Sequence, residues 1–395
     1  EDGTLWITYN GEIYNFGEIR EELVGHGHIF ASQSDTEVIL HGYEQYGFGI
    51  LEKLNGMFAF ALWDDRKRQL LLARDRYGKK PLYYHCSNKG LIFASELKSI
   101  LKNPEVKRAI DLRSLSRYLL HEYVPVPYSL IRDVAKMPPG HYGLWREGSS
   151  LSISPYWQIQ FDGTHGDSQP DQDELERHLI GLLKRSVERR LVSDVPLGVF
   201  LSGGVDSSSI VALMAELMPA DRIKTFSIGF EEASFDESFY AKRVAGLFGT
   251  DHREKVFTPA MMLETLPQVW DFLDEPLADA SILPTYMLAK FTREFVTVAL
   301  GGDGGDEIFA GYDPFLAHRV AGIYQAIPAR VRDGLLNPLF RALPVSTKNM
   351  SFDFRIKQFL KGLPHPPAVR NQVWLGSFDR DEQKKLFTPD CLSLL

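Results

Sequence analysis

The chain has 395 residues, of which 44% are hydrophobic, and a formal net charge of −8 at pH 7. That length allows two domains, each with its own core. The acidic balance argues against nucleic acid as the main partner, because phosphate-backbone binding draws on surplus Lys and Arg. No run of about 18 apolar residues predicts a membrane span. With only Cys86 and Cys391, a disulfide framework is excluded, and we expect a cytoplasmic protein.

The first 158 residues predict an α+β layered domain, because short β-rich runs alternate with turn residues and a few helices. The first strand is expected at residues 4–9. Because this strand begins so close to Glu1, we expect the start of the domain to be missing.

Asn10 and Gly11 follow this first strand and allow two interpretations. Asn-Gly at a strand end is the commonest hairpin signal, and these two residues alone favour a turn. A side-chain amide beside a glycine N–H can also supply two converging donors for an oxyanion. Further on, Ser34 and Glu37 stand at capping-box spacing before an apolar helix, and Asp35 suits the same helix N-terminus. Helix stability alone would explain those three residues.

Residues 159–173 contain Gly, Asp, Ser, Pro and Gln with almost no apolar side chains, and they predict a linker. From 174 to 395, strands and helices alternate, with strands expected at 195–201, 224–230, 253–258 and 295–300. This order predicts an α/β domain with a parallel sheet, helices on both faces and ligands at the carboxyl ends of the strands.

The run Leu-Ser-Gly-Gly-Val-Asp-Ser-Ser, residues 201–208, ends the first of these strands and opens a helix. Such a loop aims unpaired backbone N–H groups and the positive end of the helix dipole at one point, which suits a phosphate chain. It lacks the lysine of a Walker A loop. Asp206 would repel phosphate unless a divalent cation lay between them, so the sequence predicts bound Mg²⁺. An ordinary Ser/Gly helix cap is the alternative.

A second loop, Gly-Gly-Asp-Gly-Gly-Asp-Glu at 301–307, follows the last predicted strand. Its four glycines permit close backbone approach. Three carboxylates at the end of a buried strand are costly unless cations or solvent compensate them. Together with Asp206 they predict a clamp for magnesium and pyrophosphate, and a solvated acidic turn is the alternative.

The 201–208 run resembles the signature of the PP-loop ATP pyrophosphatases, most closely that of glutamine-hydrolysing asparagine synthetases. Residues 10–15, 73–84 and 137–142 resemble the glutaminase domain of class II amidotransferases, which are N-terminal nucleophile hydrolases. The resemblance covers nearly the whole chain. It implies amide synthesis from glutamine and ATP, with L-aspartate as acceptor, L-asparagine as product, and AMP and pyrophosphate released.

Residue roles also follow from the resemblance. It implies that Asn10 and Gly11 form an oxyanion hole and that Glu12 and Asp35 hold the amino group of glutamine. It implies ATP binding by Phe200, Ser202, Gly203, Gly204, Asp206, Ser207, Ser208, Ile228, Gly301 and Gly302. Mg²⁺ is expected on Asp206 and Asp306, and the stretch 273–281 is expected to line the acceptor pocket. Asp303 is expected to assist the chemistry. At two positions the chain departs from the family: Asp303 replaces the usual glutamate, and Gly301 replaces the usual serine.

The glutaminase nucleophile of this family is an N-terminal cysteine that acts with its own amino group. Neither Cys86 nor Cys391 has an adjacent base, so we expect no glutaminase activity from these 395 residues and expect the family's C-terminal helical part to be missing too. Small molecules are the expected partners, with neither nucleic acid nor membrane, and a homodimer is left open. The alternatives are a relative with another acceptor and an inactive relative that binds nucleotide without turnover.

Overall fold

The computed structural model describes residues 3–160 and 171–395. Most of the predicted linker, residues 161–170, therefore lies outside the described residues. Within the described ranges, no helix is both long enough and apolar enough to cross a membrane.

Residues 3–160 build two antiparallel sheets. The strands are β1 (Leu5–Ile13), β2 (Gly56–Asp64), β3 (Gln69–Arg74), β4 (Tyr83–Ser87), β5 (Gly90–Ala94), β6 (Ala135–Lys136), β7 (His141–Arg146) and β8 (Ser152–Pro155). The larger sheet has the order β1-β2-β3-β7-β8, and the smaller one has the order β5-β4-β6. Strand β2 is paired on both sides and covered on both faces, which explains why it is apolar along almost its whole length.

The helices of this domain cover one face of the larger sheet, flank the smaller sheet and contact the second domain. They are α1 (Phe16–Gly25), α2 (Asp35–Tyr46), α3 (Ile50–Lys53), α4 (Leu97–Ile100) and α5 (Leu112–His121). Phe58 and Phe60 of β2 join Leu23 of α1 and Ile39 of α2 in the main core of this domain. Ala59 and Ala61 point to the opposite face and pack in a second cluster with Leu82 and Met137. The alternation of large and small side chains along β2 thus sorts them between two cores.

The second domain is organised around a four-stranded parallel sheet of order β11-β10-β9-β12. Its strands are β9 (Leu197–Phe200), β10 (Lys224–Phe230), β11 (Asp251–Phe257) and β12 (Val298–Leu300). Val199 packs against α-helices in one cluster, while its neighbour Phe200 packs on the other side with Phe226 and Phe291. Both faces of the sheet are therefore covered.

The helices of this domain follow the strands in the order typical of α/β folds. They are α6 (Gln172–Leu191), α7 (Val205–Leu217), α8 (Ser238–Phe248), α9 (Pro259–Phe272), α10 (Ile282–Thr292), α11 (Gly305–Phe309), α12 (Asp313–Gln325), α13 (Ala329–Val331), α14 (Asn337–Arg341), α15 (Phe352–Gly362), α16 (Pro367–Leu375), α17 (Arg380–Leu386) and α18 (Pro389–Leu392). A π-helical turn at Arg332–Leu336 joins α13 to α14.

The predicted fold class is confirmed for both domains, but several strand limits differ. Strand β9 begins at Leu197 because Pro196 has no N–H to donate. Strand β12 is half as long as expected, because the N–H groups of Phe295 and Val296 still bond to Thr292 at the end of α10. Strand β1 continues to Ile13, beyond its predicted end at residue 9.

Candidate functional site

A cavity of about 500 Å³ opens at the carboxyl ends of β9, β10 and β12. Parallel strands place the loops that follow them at one edge of a sheet, which is where α/β proteins bind ligands. The cavity is lined by these residues expected from the sequence: Phe200, Ser202, Asp206, Ser207, Ile228, Gly301, Gly302, Asp303 and Asp306. The remaining three residues expected to bind ATP, Gly203, Gly204 and Ser208, belong to the same loop and the helix that follows it.

The first loop is held in shape by its own serines. Ser202 N–H donates to Ser207 Oγ at 3.2 Å, and Gly204 N–H donates to Ser202 Oγ at 3.2 Å. Gly203 has φ +83°, and a Cβ there would lie 2.4 Å from the carbonyl carbon of Tyr240 in α8. Only glycine fits such a position. The loop therefore presents the first turn of α7, with its unpaired N–H groups, to the cavity.

The second loop packs directly on Asp206. A Cβ on Gly302 would lie 2.8 Å from Asp206 Cβ, and a Cβ on Gly305 would lie 2.5 Å from Asp206 Cγ. Because residues 302 and 305 are glycines, the backbone of the second loop can contact Asp206 directly. The structure thus brings Asp206 and the 301–307 segment, almost 100 residues apart in sequence, into contact.

Asp303 lies over the Cα of Gly301. A Cβ on Gly301 would come within 2.6 Å of Asp303 Oδ2, so the missing side chain leaves the space that this carboxylate occupies. Asp306 lies in α11, which begins at Gly305. Asp303 therefore lies before this helix and Asp306 in its first turn.

Tyr312 was not selected from the sequence, yet it lines the cavity beside Glu307, one of the three carboxylates of the second loop. Tyr312 OH donates to Glu307 Oε1 at 2.6 Å. That hydrogen bond, followed by burial and the charges of Glu307 and Asp306, raises the pKa of Tyr312 to about 12. The phenol therefore stays protonated at neutral pH. Phe235, Glu237 and Ser238 were also missed, and the rule that loops after parallel strands line the site could have found them.

The donor set suits Mg²⁺. Asp206, Asp303 and Asp306 offer carboxylate oxygens, the ligands that Mg²⁺ prefers. Among the ion pairs of the described residues, none involves these three carboxylates. Ser208 Oγ is buried and has no hydrogen-bond partner within the described part of the chain. An oxygen-rich pocket with uncompensated acids and a buried hydroxyl at a helix N-terminus fits a bound metal-phosphate group.

Most of the residues expected to bind the substrate glutamine lie along β1, the edge strand of the larger sheet in the first domain. Asn10 and Gly11 pair with Ala59 and Phe58 inside the sheet, so the hairpin-turn alternative is wrong. Asn10 Nδ2 donates to Ser95 Oγ at 3.3 Å. The backbone of β2 lies so close to Gly11 that a Cβ at residue 11 would be 2.3 Å from Met57 O.

Asp35 lies at the start of α2 and reaches the end of β1. It accepts hydrogen bonds from Tyr9 OH at 2.7 Å and from Ile13 N–H at 3.0 Å. Burial, and then the charge of Asp35, raise the pKa of Glu12. Burial followed by the hydrogen bond to Asp35 raises the pKa of Tyr9 far above its ordinary value. The structure therefore brings Glu12 and Asp35 together.

The capping box expected at residues 34–37 does not form, although Ser34 still caps the helix. Ser34 caps α2 by accepting from Thr36 N–H at 3.0 Å. Glu37 instead accepts from the N–H groups of Ala31 and Ser32, at 2.7 Å each. It therefore orders the loop before α2, a longer-range contact than the spacing suggests.

The segment 73–84 holds two charged side chains in the interior of the domain. Arg74 is buried and donates to the carbonyl oxygens of Lys80, Met137 and Gly78, at 2.7 Å each. Asp75 is buried as well and accepts four backbone N–H groups, those of Phe58, Tyr77, Lys79 and Lys80. In this irregular turn, the side chains of Arg74 and Asp75 bond to backbone groups that would pair with each other in regular secondary structure.

The segment 273–281 contributes two of its acids, Asp274 and Glu275, to the contact between the domains. Asp274 accepts from Leu97 N–H at 2.5 Å. Glu275 pairs with Lys136 at 2.5 Å. Neither acid lines the nucleotide cavity. Cys86 lies inside β4, opposite Leu91, and Cys391 lies in α18.

Comparison with known proteins supports this arrangement. The profile described as "Glutamine amidotransferase domain" matches residues 1–157, and the profile described as "Asparagine synthase" matches residues 178–375. The glutamine-hydrolysing asparagine synthetase 1 of Bacillus subtilis is 40% identical over 338 residues, which are 85% of this chain and 52% of that protein.

Two further relatives extend the comparison. A putative glutamine-hydrolysing asparagine synthetase of Mycobacterium tuberculosis is 36% identical, covering 90% of this chain and 53% of its own length. The amidase chry2 of Gibberella zeae is 30% identical, covering 89% of this chain and 56% of its own length. The chain thus spans about half the length of the curated relatives it matches.

Proposed function

Because this chain belongs to the asparagine synthase family, we propose that its second domain binds ATP with Mg²⁺ and transfers AMP to a substrate carboxylate. The first domain is the glutamine-binding part of the same enzyme, and ammonia released from glutamine attacks the activated carboxylate. L-Aspartate is the proposed acceptor, and L-asparagine is the product.

One observation carries this proposal. Asp206, within a serine-glycine loop at a helix N-terminus, is in contact with Gly302 and Gly305 of the second acidic loop. A helix N-terminus attracts phosphate, whereas the carboxylates repel it. The two features are compatible only where a cation lies between them, which is the arrangement that a metal-bound pyrophosphate group requires.

The chemistry explains why ATP is cleaved at its α-phosphate. A carboxylate is a poor electrophile because oxide would have to leave. When a carboxylate oxygen attacks the α-phosphorus, the α–β bond breaks and pyrophosphate leaves. Ammonia then attacks the carbonyl carbon, AMP leaves with the bond electrons, and the nitrogen loses a proton.

Different residues of this chain bind the pyrophosphate, the Mg²⁺ ion and the adenine ring. The N–H groups of α7 and the serines of the first loop hold the pyrophosphate end, and Asp206 and Asp306 hold Mg²⁺. When bound, Mg²⁺ neutralises phosphate charge in the transition state. Ile228, at the end of β10, lies where the adenine ring contacts the backbone. Asp303, close to the clamp, positions the reacting groups.

The test is to identify the nucleotide product. The protein is supplied with ATP, Mg²⁺, ammonium chloride and L-aspartate, and the products are separated by chromatography. We expect AMP, pyrophosphate and asparagine in equal amounts. ADP as the only nucleotide product would overturn the proposal.

The alternative, an acceptor other than aspartate, is not favoured, because the more similar relatives are named asparagine synthetases. Asp274 and Glu275 of the segment 273–281 contact the first domain, whereas the charge of Asp279 acts on Tyr312 in the cavity. AMP formation with another carboxylate, but none with aspartate, would keep the mechanism and change the acceptor.

A further inference from the structure

Two histidines and a glutamate that play no part in the proposed reaction converge in the first domain. His28 follows α1, and His41 and Glu44 lie on α2. The Nδ1 atoms of His28 and His41 are 3.1 Å apart. Glu44 Oε2 lies 3.3 Å from His41 Nδ1 and 4.0 Å from His28 Nδ1. We propose that these three side chains bind a divalent transition-metal ion of the zinc class.

The distances suit one shared ion. Zinc binds imidazole nitrogen at about 2.0–2.1 Å and carboxylate oxygen at about 2.0–2.2 Å, so a tetrahedral site holds its ligand atoms about 3.3–3.5 Å apart. Two of the three separations, 3.1 and 3.3 Å, are close to this spacing. The third is longer, and the Glu44 side chain, 38% exposed, has room to rotate inward. Two histidines and one glutamate are also a known ligand set for zinc, with water in the fourth position.

The outer partners of the imidazoles orient the rings for this role. Glu37 Oε1 lies 3.5 Å from His41 Nε2, and Gln45 Oε1 lies 3.1 Å from His28 Nε2. When each Nε2–H donates to its oxygen, both Nδ1 lone pairs point at each other and at Glu44. Histidines that bind metals usually donate their other ring N–H to a carboxylate or carbonyl in this way.

Packing holds the rings in place. The His41 side chain is 9% exposed and that of His28 16%, and Phe30 packs against the His41 ring with 4.5 Å between ring centroids. A buried imidazole lone pair without a donor is costly. A cation removes that cost, and the competing arrangement is a proton on His28 Nδ1 donated to His41.

The ion would join two parts of the domain. His28 lies in the loop after α1, and α2 begins with Asp35, a residue proposed to bind glutamine. A metal bound only to the folded state stabilises it by mass action. The site is thus a structural metal centre that fastens the 26–34 loop to α2, and its existence does not depend on the proposed reaction.

Titration with Co²⁺, a coloured substitute for Zn²⁺, tests the site. Metal-free protein is titrated in excess Mg²⁺ while the visible absorption of Co²⁺ is recorded, and Zn²⁺ is then added as competitor. We expect one equivalent of Co²⁺ at this site, displaced by Zn²⁺. His28→Ala and Glu44→Gln should each weaken binding by more than about tenfold. His26→Ala is the matched control, because His26 lies exposed in the same turn and belongs to no part of the cluster.

Two outcomes would overturn the proposal. The first is Co²⁺ binding of equal strength in the unsubstituted protein, in His28→Ala and in Glu44→Gln. The second is no binding of Co²⁺ or Zn²⁺, together with a protonated His28 Nδ1 in the ¹⁵N spectrum of the imidazoles. That spectrum is recorded on the unsubstituted protein, so the result does not depend on how well the variants fold.

Discussion

Lys136 of the first domain and Glu275 of the second form an ion pair with 2.5 Å between Nζ and Oε2, and both side chains are largely buried. Glu275 also accepts from Tyr83 OH at 3.2 Å and from Leu130 N–H at 2.6 Å. One glutamate in the segment between α9 and α10 therefore contacts three residues of the first domain. It is a principal polar contact between the two domains.

The Lys136→Met variant should be strongly destabilised. It leaves Glu275 buried without its cation, and breaking a buried pair costs about 3–5 kcal/mol. The measurement is the free energy of unfolding in urea. Lys184→Met is the matched control, because Lys184 forms an exposed pair with Glu216 and should lose less than about 1 kcal/mol. Equal losses of unfolding free energy in the two variants would show that the buried Lys136–Glu275 pair does not hold the domains together.

Asp206→Asn and Asp306→Asn should each abolish magnesium-dependent ATP binding. Each removes a negative oxygen ligand from the proposed clamp, so affinity should fall by more than about tenfold. Calorimetric titration with ATP, in Mg²⁺ and in chelator, measures the change. Asp221→Asn, at an exposed turn, serves as control and should bind normally. If both clamp variants bound ATP with unchanged affinity, the assignment of magnesium to this site would be wrong.

Gly301→Ser should displace Asp303, because a Cβ at residue 301 comes within 2.6 Å of Asp303 Oδ2. We expect kcat for AMP formation to fall by roughly tenfold or more, while the Kd of ATP changes little. The double variant Gly301→Ser/Asp303→Glu should recover part of the lost rate, since the longer side chain can reach past the serine. A Gly301→Ser variant of normal kcat would contradict this role for the glycine.

Asp64 should make the first domain sensitive to acid. Burial opposes its ionisation, but hydrogen bonds from Lys67 and Tyr43 outweigh burial and lower the pKa of Asp64 below 3.8. For an acid whose pKa is lower in the folded state, the added stability is present above the unfolded-state pKa and is lost as pH falls through the folded-state value. Unfolding free energy should therefore decline below about pH 4.

The Asp64→Asn variant tests this dependence. It should be less stable at neutral pH by about 1–3 kcal/mol, because buried donors lose a charged acceptor. Its stability should also vary less between pH 4 and lower pH than that of the unsubstituted protein. Parallel pH profiles for the two proteins would assign the acid sensitivity to other groups. The measurement is urea denaturation followed by circular dichroism at each pH.

The sequence by itself determined the fold class and most of the nucleotide cavity. Residues 201–208 and 301–307 each combine a strand end, glycines and acids within eight residues, and such local patterns fold in nearly the same way in any parallel sheet. The N-cap of α2 at Ser34 was predictable for the same reason.

Only the tertiary structure decided which distant groups meet. The packing of Gly305 on Asp206, the pairing of Glu275 with Lys136 and the approach of His28 to His41 join residues from different elements. Sequence spacing carries no information about such contacts, because they depend on how helices and strands pack against each other. The burial of Arg74 follows the same rule: its charge suggested a surface residue, and three carbonyl groups brought together by the fold made the interior favourable.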